Sequence, residues 1–233
     1  MEPRLFQIGR IPAALWGPPS ERVIVAVHGA QSNKTDVPFR LLAEAFPLCQ
    51  VLSFDLPEHG DRRHEPTLCR PPVCVRELSA VLDYAESRWT RVGLFAVSMG
   101  AYFSLLACRD RNIFHAWFLS PVVDMERLTR DMMEWFCISE ARLEAEKVVP
   151  TPMGQTLRWD DYCYIRRHPV DRWPFPTDIL RGSGDTLAAE ETAVSFAERF
   201  SCRLRTAQGA EHWFHRPEEL SALSDWLRET ASG

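Results

Sequence analysis

Short runs of aliphatic and β-branched residues alternate along the chain with longer stretches whose apolar positions recur at helical spacing. Val23 to His28 is a continuous apolar run, which predicts a strand buried on both faces. Gln50 to Asp55, Val92 to Val97, Ala116 to Ser120, Thr177 to Arg181 and Arg203 to Thr206 predict five more strands. Between them lie amphipathic stretches at Val37 to Phe46, Pro71 to Arg88, Ser98 to Cys108 and Ala188 to Phe200, with a last helix after Arg216 opening on Pro217. Residues 4–16 predict a short β-hairpin or ragged edge, limited by Gly9 and Pro12. Strands separated by helices imply βαβ units and a mostly parallel sheet flanked by helices, an α/β fold.

One segment breaks the alternation. About 55 residues separate the strand ending near Ser120 from the one starting near Thr177, too many for a simple crossover. Asp124 to Lys147 and Thr156 to His168 predict two helices, joined by a connector at 148–155. The expectation is a core of residues 1–123 and 174–233 with a helical cap insertion at 124–173.

Composition narrows the function. The 233 residues are 45% hydrophobic and 25% charged, with a formal net charge of −5, which is ordinary globular usage. Basic residues are not concentrated into a phosphate-binding footprint, so no nucleic-acid partner is expected. Arg62, Arg63 and His64 read as a solvated loop. No apolar run approaches the ~20 residues that span a bilayer, and the opening residues lack a basic stretch followed by an apolar one, so a secretory signal is not expected there. Seven scattered cysteines without a C-x-x-C pair suit a reducing, cytoplasmic setting. His59 and His64, with Asp55, Glu58 and Asp61 nearby, fit no standard zinc spacing, so no metal is expected there.

The chemically useful residues fall just after strands, where parallel sheets place their ligands. Ala96-Val-Ser98-Met-Gly100 lies between a buried strand and a helix. Small residues two positions either side of Ser98 let strand and helix approach, so the turn can hold the hydroxyl clear of its neighbours. The competing reading is a serine that caps the helix. A serine nucleophile needs a base, and His212 lies just after the last strand, with His215 as rival nearer the final helix. An acid must orient that base. Asp185 in Gly182-Ser-Gly-Asp185 is favoured by the order Ser…Asp…His, with Asp124 as the alternative. Oxyanion donors are expected at the backbone N–H groups of Met99 and Ala30, with His28 shaping the latter's loop.

Together these features resemble the α/β-hydrolase superfamily, over nearly the whole chain. Val23 to Gly29 is similar to its strand ending in His-Gly, and Ala96-x-Ser-x-Gly100 to its nucleophile elbow. Gly182-x-Gly-Asp185 and Gly209-x-x-His212 are similar to its acid and histidine loops. Asp55-Leu-Pro-Glu-His-Gly60 is similar to its Asp-x-Pro-Gly-His-Gly segment, with Glu58 in place of a glycine. The resemblance implies a cofactor-independent serine hydrolase with Ser98, Asp185 and His212 as its triad. The expected substrate is a small to medium carboxylic ester. A thioesterase or peptidase with the same triad, or a low-turnover ligand-binding member of the fold, are the alternatives. A homodimer is possible, and membrane insertion is not expected. Trp135, Phe136, Trp159, Tyr162, Tyr164 and Trp173 in the 124–173 segment either line a substrate pocket or form that segment's own core, with about a third expected to touch substrate.

Overall fold

The computed structural model describes residues 1–231. The opening hairpin is β1 (Arg4–Ile8) and β2 (Ile11–Trp16), paired antiparallel around a turn in which Gly9 has φ +59°. The alternating units follow as β3 (Arg22–Val27), α1 (Val37–Ala45), β4 (Gln50–Phe54), α2 (Pro71–Glu86), β5 (Arg91–Val97), α3 (Met99–Ala107) and β6 (Ile113–Leu119). After the insertion come β9 (Thr177–Gly182), α7 (Glu190–Phe200), β10 (Arg203–Ala207) and α8 (Pro217–Ala231). The sheet order is β1-β2-β4-β3-β5-β6-β9-β10; β1 and β2 form its antiparallel edge, and every pairing from β4 to β10 is parallel.

The strand period of two sorts the core into layers. On β3, Val23, Val25 and Val27 face a cluster with Leu78, Val81 and Leu82 of α2 and Tyr102 and Leu105 of α3. Ile24 and Ala26 face the opposite cluster, with Phe39 and Leu42 of α1 and Leu223, Trp226 and Leu227 of α8. Both faces are therefore covered, which explains the unbroken apolar run in the sequence. The order reverses at β3, whose neighbours are β4 on one side and β5 on the other. The loops leaving β3 and β5 open a crevice at this switch point.

β6 begins three residues earlier than its apolar run suggests. Between Val92 and Leu94 on β5 and their partners Ile113 and Ala116, two residues of β6 oppose Gly93 alone. A side chain at Gly93 would clash with the Phe114 ring, 2.8 Å from the Cβ position, so the bulge and the glycine require each other. Arg62 is not solvated: it is buried and bonds both carboxylate oxygens of Glu77.

The 124–173 segment differs most from expectation. The first predicted helix is two, α4 (Met125–Trp135) and α5 (Glu140–Glu146). Cys137 at φ +51° breaks the run, and the Ser139 side chain accepts from the Arg142 N–H to start the second helix. The expected connector is half of a hairpin, β7 (Val148–Pro150) against β8 (Thr156–Arg158), and α6 covers only Trp159–Arg167. Met132, Met133, Leu143, Val149, Leu157 and Tyr162 make a separate small core there. Among the described residues, no helix is long and apolar enough to cross a membrane.

Candidate active site

Ser98 stands between β5 and α3 with φ +53° and ψ −122°, a conformation that L residues avoid and that costs on the order of 1–3 kcal/mol. Its neighbours explain how the chain holds it there. A Cβ at Gly100 would stand 2.6 Å from the His28 carbonyl oxygen, and one at Gly29 would stand 3.0 Å from the Ser98 Cβ. The β3 loop can press against the turn only because both positions lack side chains. Gly100→Ala is therefore expected to lower stability by about 1–3 kcal/mol in urea denaturation and to reduce activity with it.

Ser98 does not act as a side-chain cap of α3. Its Oγ lies 2.8 Å from His212 Nε2, and His212 Nδ1 lies 2.7 Å from Asp185 Oδ2. All three residues come from loops at the carboxyl ends of their strands, β5, β10 and β9. Close approach of the last two loops depends on Gly182, where a Cβ would fall 2.1 Å from the Ala210 carbonyl oxygen. Ser98 and His212 are buried. Burial alone would raise the pKa of Asp185. The hydrogen bond and charge of His212, with the N–H groups of Ala188 and Leu187, outweigh it and hold the carboxyl below its usual range. For Nε2 to accept from the serine hydroxyl, Nδ1 must carry the proton, and the Asp185 carboxylate is placed to accept it.

The rival residues lie elsewhere. Asp124 caps α4, accepting from the Arg127 N–H at 2.9 Å. His215 is exposed and lies at the rim of the cavity, its Nδ1 3.8 Å from Glu219. His28 is fully buried, which lowers its pKa to about 4 and keeps it neutral. It accepts from the Leu56 N–H at Nε2 and so donates from Nδ1 to the Gly29 carbonyl, fixing the loop that carries Ala30. The backbone N–H groups of Ala30 and Met99 donate to no other group among the described residues.

Beside Ser98 lies a cavity of about 370 Å³, near the small end of the range for ligand pockets. Phe39, Leu119 and Trp213 supply apolar walls, and Gln31, Ser32 and Asp36 supply polar ones. None of the six aromatics of the 124–173 segment lines it. Phe136, Trp159 and Tyr162 belong to that segment's core, and Trp173 packs on Phe118. The sequence expects about a third of these rings at the substrate; none reaches this cavity, while Trp135 is exposed. Asp55 and His59 also have other duties. Asp55 accepts from Lys34 N, Lys34 Nζ and Asp61 N, and the His59 ring packs against His28 at 5.0 Å, tilted by 53°. Among the described residues no group of three or more His, Cys, Asp or Glu is placed to hold a metal ion.

A profile described as "Alpha/beta hydrolase family" matches residues 24–229. The chain belongs to the alpha/beta hydrolase family. This hydrolase has strong structural likenesses. It is similar to Est1E from Butyrivibrio proteoclasticus, solved with ferulic acid bound, with a TM-score of 0.79 at 20% identity over 97% of each chain. A putative hydrolase from Agrobacterium vitis S4 gives 0.76 at 18% identity, covering 99% of this chain and 98% of that one. The Paleococcus ferrophilus monoacylglycerol lipase gives 0.65 at 17% identity, covering 94% and 99%. A search of curated protein sequences returned no match. At these identities the structures establish the fold, an alpha/beta hydrolase sheet flanked by helices.

One residue that shapes the site escaped the sequence reading. Glu219, buried in the first turn of α8, accepts from the N–H groups of Glu211, His215 and Arg216 and from the Arg216 side chain. It clamps the hydrolase's loop on both sides of His212. A glutamate three residues after Arg216, just before the helix, is half of a capping box, which was the available signal. Burial opposes its charge, but the Arg216 bond and the three N–H groups bring its pKa down to about 2. A depressed carboxyl stabilises the fold above its unfolded pKa, and that contribution is lost as pH falls through the folded value. Glu219→Gln is therefore expected to cost a few kcal/mol at pH 7. In urea denaturation the difference from wild type should shrink as pH falls from about 4.5 towards 2.

Proposed function

We propose that this hydrolase cleaves small to medium carboxylic esters through an acyl-enzyme on Ser98. The observation that carries the reading is the unbroken hydrogen-bonded chain from Ser98 through His212 to Asp185, hung on a strained turn at the sheet's switch point. Ser98 Oγ attacks the ester carbonyl carbon while His212 Nε2 takes its proton. Asp185 holds the Nδ1–H tautomer and stabilises the imidazolium. The negative oxygen of the tetrahedral intermediate rests on the Met99 and Ala30 N–H groups, whose lack of other partners among the described residues supports this role. Collapse expels the alcohol, which receives the proton from His212. Water then attacks the acyl carbonyl by the same route in reverse and frees Ser98.

The cavity's volume supports a short acyl group over a long one. A series of p-nitrophenyl esters tests this directly. Acetate and butyrate esters are expected to turn over, with kcat/KM falling more than about ten-fold at twelve carbons, where the chain outgrows the pocket. Failure to hydrolyse every ester in the series would overturn the proposal, and a rate that rises with length to twelve carbons would overturn its substrate range.

A further inference from the structure

We propose that Cys69 and Cys74 form a peroxide-reactive dithiol, in which Cys69 is oxidised first and Cys74 resolves it to an intramolecular disulfide. The pair lies apart from Ser98, at the start of α2. Cys69 precedes the helix by two residues and Cys74 is in its first turn. Their sulfurs are 3.5 Å apart and hydrogen-bonded, and all seven cysteines of the chain are unbridged.

The two sulfurs are not equivalent. Cys74 is fully buried, whereas Cys69 is only partly covered. Cys69 is surrounded by groups that favour its thiolate. The Cys74 sulfur hydrogen-bonds it at 3.5 Å, and the His59 ring favours its negative charge. The Pro57 carbonyl, 2.8 Å from His59 Nδ1, orients that ring. The α2 N-terminus adds a favourable dipole. Glu58 opposes the negative charge but positions the residue, accepting from the Cys69 N–H at 2.7 Å. To do so Glu58 takes φ +64°, in the turn where the resembling segment has glycine. The departure from the family pattern is thus the residue that holds Cys69 in place. The bond from Cys74, helped by the His59 ring, outweighs burial and brings the Cys69 pKa below the ordinary thiol value, while Cys74 is pushed up by the same bond and by burial.

The chemistry balances with a hydroperoxide as oxidant. The Cys69 thiolate attacks the terminal peroxide oxygen. The O–O bond breaks, an S–O bond forms, and the alkoxide leaves as the alcohol after taking the thiol's proton, giving sulfenic acid at Cys69. Removing the thiolate charge takes away the Cys69 contribution that holds the Cys74 proton, while burial remains. Its sulfur then attacks Cys69, the S–O bond breaks, an S–S bond forms, and hydroxide leaves as water with the Cys74 proton. Two thiols and one hydroperoxide become a disulfide, an alcohol and water. The sulfurs must close from 3.5 Å to about 2.05 Å.

The test uses the full chain, reduced, at pH 7. Limiting iodoacetamide should alkylate Cys69 about ten-fold faster than the exposed Cys137, despite the latter's better access. One equivalent of tert-butyl hydroperoxide should remove two hydrogens from the peptide that carries both cysteines, reversibly with dithiothreitol. Cys74→Ser and Cys74→Ala should stop at a Cys69 sulfenic acid that dimedone traps, and His59→Gln should slow the oxidation about ten-fold. Should both Cys74 variants fail to fold, the wild-type peptide map still decides. Faster alkylation of Cys137, no bridge in the wild type, or a bridge to a different cysteine would overturn the proposal.

Discussion

Replacing Ser98 with alanine is expected to lower kcat on p-nitrophenyl acetate by about 10⁵-fold or more, while leaving the protein folded. The size follows from the proposed chemistry. Without the hydroxyl no acyl-enzyme can form, and His212 with the two oxyanion donors can only assist a passing water. Among the described residues the Ser98 Oγ bonds His212 alone, so the fold loses one side-chain contact. A thermal melt within a few degrees of wild type is expected beside the activity loss. A variant that keeps even one per cent of wild-type kcat would move the nucleophile elsewhere.

The second large effect belongs to the acid. Asp185→Asn is expected to lower kcat by about 10⁴-fold. The asparagine amide would face His212 Nδ1 with a donor or a neutral acceptor in place of the carboxylate 2.7 Å away. The imidazole then favours its proton on Nε2, where it cannot accept from Ser98, and the imidazolium loses its stabilising charge. Asp124→Asn is the control. Asparagine caps helices as well as aspartate does, so kcat should change less than about three-fold and stability by less than about 1 kcal/mol. Steady-state kinetics on the two variants separate the acids that the sequence left open.

What the sequence revealed and what it hid follow one physical rule. Features set by local chemistry were legible: the apolar runs of β3 and β5, the small residues around Ser98, and the loops carrying Asp185 and His212 each announce themselves over a few residues. Features set by meetings between distant segments were not. The helix predicted across 124–147 breaks at Cys137 because that segment folds on its own small core, and the turn residues Pro152 and Gly154, read as a connector, close a hairpin over 148–158 because the flanking strands pair. The cavity lies on the α1 side, walled by Phe39 and Trp213, so the aromatics that looked suited to substrate pack elsewhere. The Cys69–Cys74 pair, five residues apart, looked like scatter until Glu58 and His59 closed on it.

The central claim, an acyl-enzyme on Ser98, is tested most directly by acid-quenching the enzyme within one turnover of p-nitrophenyl butyrate and mapping the peptides by mass. The account predicts one butyryl group on the peptide that carries Ser98, absent from Ser98→Ala. Turnover of the ester with no acyl group on Ser98, or with the group on another residue, would contradict it.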